Sequence, residues 1–523
     1  MWFVSLAFGV YAQTVTLSGF VKDSVYQTPV ANAIVSVNGA RLGMITNEAG
    51  EFSFDAPLDS LASNTLTVYA PGYRIATVPM KADHSYLIVS LSPVPKETSP
   101  GIFGEGKNGS PSPFNRFVGA VANIIINDWI PLGNPETNKF DFGRVQRLAS
   151  INPVEGLRIQ PGIASTTRLN PHFFVKGYTA YGFKDKKFKY RGEVVYSFND
   201  KVYHDQEYPK HNLSFVYEND VFAFGEMHPR ALNDLLLVTY RRSKNAMLYR
   251  RFTEVNFEKE SLSGFAYQVW FRNSGMRPVE GLDFIRMEQD GSLSSLPKLT
   301  TSEVGTQLRY SFGENYEQNR RKRKLLTPEK PAIFLSHLIG LDGSFAGSGF
   351  YHRTEISVQK RFSLGKYGRM DAVAEAQKIW NRVPFPLLLY PNQRNKYQIE
   401  NNAFFLTPAL EFAGDEQYML RTTFVGDQLL FHRVPVLRKL GFRELFSIRG
   451  LTSRLSEENI PTRENGLLIF PEGTMRMGAT PYVEAAIGIT NILGLLRVEY
   501  VHRLTYRDNP GALLGKVRVD VTL

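Results

Sequence analysis

His204-Asp205-Gln206-Glu207 sets a histidine and a glutamate at a zinc-ligand spacing, and His337 lies 130 residues beyond Glu207, where a third ligand could come from. That set would support zinc-peptidase chemistry. Its surroundings, Asn199, Asp200, Asp205, Pro209 and Lys210, read as a polar loop between strands. The long helices of a zinc peptidase are missing from the pattern. Pro471-Glu472-Gly473-Thr474 echoes an acyltransferase anion-binding motif, but no His-x-x-x-x-Asp partner lies upstream, so it reads as a turn. Arg320-Arg321-Lys322-Arg323-Lys324 is a basic run that suits a loop touching lipid phosphates or a solvated turn. The chain has no cysteine, which excludes disulfides, thiolate-bound zinc, iron–sulfur clusters and thiol catalysis. No Walker loop, nucleophile elbow or dinucleotide fingerprint is present. We expect no catalytic residue, no metal and no cofactor, and read the chain as a non-enzyme.

The charged residues with a discernible pattern lie on strands. Val517, Val519 and Val521 alternate with Lys516, Arg518 and Asp520 up to the last residue. Strand side chains alternate with period two, so this segment has one apolar and one charged face. Leu496, Val498 and Tyr500 oppose Arg497, Glu499 and Arg503 in the same way. So do Phe188, Tyr190 and Tyr196 against Lys189, Arg191 and Glu193, and Val304, Leu308 and Tyr310 against Glu303, Gln307 and Arg309. An edge strand of a soluble sandwich alternates too, but strands there average only ~5–6 residues. These runs reach about 9–12 residues, enough to cross a bilayer at a tilt. A strand that is greasy outside and charged inside is the signature of a transmembrane β-barrel. Arg497, Glu499, Arg503, Lys516 and Arg518 are therefore candidate lumen-facing residues.

Composition agrees. The 523 residues include 37 Phe and 25 Tyr, which suit strands and aromatic girdles. The net charge of +11 is spread along the chain, which suits a solvated lumen or anionic headgroups better than nucleic acid. Residues 1–12 read as an export signal cleaved before Gln13; the missing basic n-region fits a truncated start. No later run approaches the ~18 apolar residues of a membrane helix.

Residues 14–93 carry short strands punctuated by Gly, Pro and Asn, the pattern of a small β-sandwich. Gly19-Phe20-Val21, Pro29-Val30, Ala33, Val35, Thr46-Asn47, Gly50, Phe52 and Gly72-Tyr73 resemble the carboxypeptidase regulatory-like domain, a transthyretin-like and non-catalytic module. Residues 94–150 follow as linker (Gly- and Pro-rich to 113) and connecting segment, with an apolar stretch at Phe117–Ile126 that fits a helix or a strand. Residues 151–523 form the barrel. The fold class expected is all-β, a transthyretin-like sandwich followed by a transmembrane antiparallel barrel of about 12–16 strands.

Four segments carry a second resemblance: Asn152–Arg158, Lys184–Tyr190, Val434–Glu444 and Pro481–Tyr500. Together they resemble uncharacterised Bacteroidota outer-membrane proteins whose barrel is distantly similar to the surface-antigen and barrel-assembly superfamily. Barrels of that superfamily carry an Arg-Gly-aromatic motif on a loop folded into the lumen. Ser447-Ile448-Arg449-Gly450-Leu451 is similar, with Leu451 in the aromatic place, and the resemblance implies that Arg449 faces the lumen and pairs with carboxylates there. The resemblance implies an outer-membrane protein acting in translocation or assembly. Its partners would be outer-membrane lipid and lipopolysaccharide, the barrel-assembly machinery and a periplasmic protein docked on residues 14–93, with no nucleic acid. The alternatives are a passive structural barrel and a truncated TonB-dependent importer, for which only about 58 residues stand where a plug is needed.

Overall fold

The computed structural model describes residues 14–521, apart from short internal stretches, of which 93–128, 225–246, 342–349 and 392–403 are the longest. Residues 1–12, read above as an export signal, residues 94–113, read as a linker, and the stretch Phe117–Ile126 lie outside the described residues. The chain divides into two units, Met1–Asn108 and Gly109–Leu523.

The first unit holds two small sheets. In one, Thr14–Asp23 lies between Glu51–Pro57, antiparallel, and Tyr86–Leu91, parallel. In the other, the order is Gly43–Ile45, Ile34–Val37, Thr65–Tyr69, Ala76–Pro79. Alternate residues from both sheets, including Leu17, Val21, Val35, Leu66, Val68 and Val89, share one apolar core. Fully burying each such side chain is worth ~1.5–3 kcal/mol. Gly19 is required by a close approach: a Cβ there would lie 2.2 Å from the Leu87 carbonyl oxygen. Buried Thr46 accepts a hydrogen bond from the Ala33 amide and donates one to the Val30 carbonyl, tying two connections to this core.

The second unit is an antiparallel sheet of nineteen segments. From Phe173–Gly182 to Gly515–Val521, each long strand pairs antiparallel with the next. The last pairs with the short Trp129–Pro131, which pairs with Phe140–Gly143. Phe140–Gly143 pairs in turn with Gly162–Ser165, and Gly162–Ser165 with Phe173–Gly182. The sheet therefore closes into a ring, a β-barrel, through Gly162–Ser165 and Phe140–Gly143, with the short Ala149–Asn152 paired only to Gly156–Ile159 among the described residues. It has more segments than the expected 12–16 strands because two strands are interrupted and a three-residue segment sits at the seam. Gly156–Ile159 and Gly162–Ser165 meet Phe173–Gly182 in one continuous register, Arg158 opposite Gly182 and Gly162 opposite Tyr178. The break falls at Gln160-Pro161, where proline has no N–H to give the ladder.

Burial alternates along every long strand with an inverted sense. Lys189, Glu218, Glu258, Glu375, Arg421, Arg449 and Glu484 are buried, while Phe188, Phe215, Val269, Ile356, Leu420, Ile448 and Ile487 are exposed. Charge points into the ring and hydrocarbon points out. Exposed aromatics gather at both rims: Phe183, Phe188, Phe350, Trp380 and Tyr418 at one, Phe198, Phe265, Tyr310, Phe312 and Tyr367 at the other. Among the described residues, the long connections 279–298, 380–415 and 455–481 leave from the first rim, and tight turns at 261–264 and 364–367 lie at the second.

Candidate functional site

The long connections fold together and inward. Leu389 and Gly414 exchange backbone hydrogen bonds of 2.8 and 3.0 Å, pinching the base of connection 380–415. The Val383 amide donates to the Asn459 side chain, and the Ile469 amide to the Ile285 carbonyl, so the three connections are stitched to one another. Phe284, Phe385, Leu389, Tyr390, Leu410 and Leu468 are buried in one apolar cluster at this rim. Aromatic pairs such as Phe284 with Phe385, ring centroids 5.8 Å apart, hold it beyond simple area burial.

Beyond that cap, one segment of connection 380–415 reaches the charged wall. The Phe405 and Leu406 amides donate to Glu484 at 3.0 and 3.1 Å, and the Tyr482 hydroxyl donates to the same carboxylate at 2.9 Å. Arg503 grips Glu411 through both terminal nitrogens, at 3.0 and 2.7 Å, and also donates to the Leu406 carbonyl. The Phe405 ring sits against two guanidiniums, Arg449 at 4.3 Å and Arg518 at 3.6 Å from its centroid. Phe404 and Phe412 flank Tyr482 with centroids 5.8 and 5.6 Å away. Phe412 holds φ at +61°, the left-handed region an aromatic residue rarely adopts, so the surrounding contacts impose its conformation. The wall contributes charge and the segment contributes backbone, one carboxylate and aromatic rings; together they make a latch inside the ring.

The candidate residues read from sequence fall as follows. Arg449, Arg497, Glu499 and Arg503 are buried on the inner face. Arg518 bonds Glu499 at 2.5 Å, and Arg497 bonds the same carboxylate at 2.7 Å. Lys516 is half-buried opposite buried Val501, on that same face. Four of the six, Arg449, Arg497, Glu499 and Arg518, form one cluster with Phe405; Arg503 holds the neighbouring Glu411.

Two expectations need correction. Arg449-Gly450 is not on a loop: it lies inside strand Arg443–Arg454, and three further strands follow it. The inward loop is a different segment, and it brings the aromatic ring while the strand brings the arginine. Arg323 is not in a solvated turn. It lies on strand Arg323–Leu325, clamps Glu260 at 2.7 Å and stacks on Tyr316. His204–Glu207 lies, as expected, in a polar connection between two strands, and it is buried; the Glu207 carboxylate accepts the Val202 and Tyr203 amides, a structural role. His337 lies on strand Ala332–Leu341 beside Thr354 and His352. Among the described residues no group of three His, Cys, Asp or Glu could hold a metal ion. Phe404, Phe405 and Glu411 escape sequence reading because no period or motif marks their segment, and Glu484, inside the segment Pro481–Tyr500, has nothing in sequence that singles it out.

No curated protein sequence matches the chain. Among solved structures, it is similar to BamA from Haemophilus ducreyi lacking POTRA domains 1–3, at 9% identity and a TM-score of 0.42, over 80% of each chain. It is also similar to CdiB from Acinetobacter baumannii, at 9% identity and a TM-score of 0.36, over 71% of this chain and 58% of that one. The model of one family matches residues 133–458, most of the ring and most of the connections that fill it. The chain belongs to the family of unknown function DUF5686, whose C-terminal domain these residues form.

Proposed function

We propose that the protein is an outer-membrane β-barrel whose lumen is latched shut at rest by the segment around Phe405, and that it acts in translocation or assembly at that membrane. The observation that carries this reading is the inverted burial of a closed ring. Exposed hydrocarbon all round a ring suits lipid, where every backbone polar group must be satisfied internally. The two aromatic rims sit where headgroups meet hydrocarbon. Within this reading residues 14–93 are a periplasmic, non-catalytic docking unit, lipopolysaccharide and phospholipid cover the outer face, and the barrel-assembly machinery inserts the chain. The role in translocation rests on the latch: a segment held by one buried ion pair and one carboxylate is a closure that can be released, which a purely structural barrel does not need.

Planar-bilayer recording of the purified chain tests this. The wild type should be closed with brief openings, and Glu411→Gln should lengthen them. A wide, permanently open pore in the wild type would remove the latch. A soluble protein with no bilayer activity and no change in gel mobility on boiling would remove the barrel reading itself.

A further inference from the structure

Four buried donors on the inner wall have no hydrogen-bond partner among the described residues: Ser447 Oγ, Arg421 Nε, Arg449 Nη1 and Arg497 Nε. They are not scattered. Arg421 and Arg449 stand directly opposite each other on adjacent strands, which places their Cβ atoms about 5 Å apart on one face. Ser447 is two residues from Arg449 on that face. Arg497 and Arg518 lie within electrostatic reach of Arg449.

The nearby carboxylates are already engaged. Glu484 lies 3.8 Å from Arg449, and its oxygens take the Phe405 and Leu406 amides and the Tyr482 hydroxyl. Glu375 accepts Arg421 at 2.5 Å, and Glu499 is shared between Arg497 and Arg518. Two guanidiniums on one carboxylate leave an excess of positive charge beside Arg449. Buried donors and buried charge without partners are costly, and one anion answers both.

We propose that this stretch of the inner wall binds a small oxyanion of the phosphate or sulfate type, held by Arg449, Arg421, Ser447 and Arg497. Ser447 and Arg449 are buried, so the ion is a small free one and not a bulky headgroup. Guanidinium groups match such an ion by geometry as well as charge, and a serine hydroxyl supplies a further donor. The site lies behind the Phe405 ring, which Arg449 and Arg518 both touch, so an ion here would stiffen the wall on which the latch rests.

The full chain, purified in detergent and exchanged into chloride, is titrated with inorganic phosphate at constant ionic strength, by calorimetry and 31P line broadening. One phosphate per chain is expected. Ser447→Ala should weaken it about tenfold and Arg497→Gln more, the cost of a hydrogen bond to a charged group. Arg454→Gln, an exposed change on the same strand, should leave it unchanged. Absence of saturable phosphate binding overturns the site, as does an equal affinity in the wild type and Ser447→Ala, both migrating as folded barrels. Loss of phosphate binding at equimolar chloride overturns the oxyanion class. Should Arg497→Gln fail to fold, Ser447→Ala decides alone.

Discussion

The two units of this chain use the same alternation and bury opposite halves of it. In the two-sheet unit, Leu66 is 0% exposed and its half-buried neighbours Thr65 and Thr67 lie on the opposite face of the strand. In the ring, Arg503 and Glu484 are 0% exposed while Ile487 and Ile448 are 61% and 58% exposed. The difference lies in what covers each face. Two facing sheets cover each other's apolar sides, so hydrocarbon goes inside. A closed ring has an inside of its own, filled here by connections that bring carboxylates, amides and rings to meet charge, so hydrocarbon goes outside. Period two tells which residues share a face; it does not tell which face is in.

The largest effect should come from forcing the first unit to behave like the second. Leu66→Asp puts an unpaired charge into its core, and the cost is on the order of the unit's whole stability. Limited proteolysis of the full chain should then cut within residues 14–91 while the ring stays resistant. Cleavage rates matching the wild type would mean that Leu66 does not face a dry core.

Next comes the latch. Arg503→Gln leaves Glu411 buried without its partner, a change that costs ~3–5 kcal/mol. The segment at Phe405 should let go, read as longer openings in a bilayer and faster protease access to residues 404–413. Glu411→Gln should be the milder of the two, because the Leu406 carbonyl still accepts from Arg503.

The outer face gives the sharpest contrast. Ile487→Arg places a charge where lipid is proposed, at ~2–4 kcal/mol near the midplane, and should deplete the heat-modifiable form in membranes. Val519→Arg on the last strand should act likewise. If water covered that face, each outward change would fall within about 0.5 kcal/mol, and equal folding of Ile487→Arg and the wild type would end the comparison.

The smallest effect is a pH dependence in the connection 198–210. Lys201 donates to the Glu207 and Pro209 carbonyls, and burial pushes its ammonium down to about 8. An unfolded lysine keeps its proton to ~10.4. Between about pH 8 and that value the unfolded chain therefore binds more protons, and stability rises with pH. Below pH 8 both states are charged and the dependence vanishes. The melting temperature of the wild type relative to Lys201→Met should climb across that window; a flat difference would show a solvated ammonium.

The faces of the strands were legible because each side chain reports its own environment locally. Phe188 against Lys189, or Tyr500 against Glu499, needs no distant partner to be sorted. Alternation together with run length pointed to an all-β chain and a barrel, and placed Arg497, Glu499, Arg503 and Arg518 on the charged side. The seam was not legible: a three-residue segment, Trp129–Pro131, is too short to carry a period. Nor was the latch. Phe405 meets Glu484 across 79 residues and Glu411 meets Arg503 across 92, and no spacing rule reaches that far. The amino-acid order by itself determined which residues stand together on a strand. Only the closing of the ring decided which of those faces became the interior, because inside and outside exist only once the last strand has found the first.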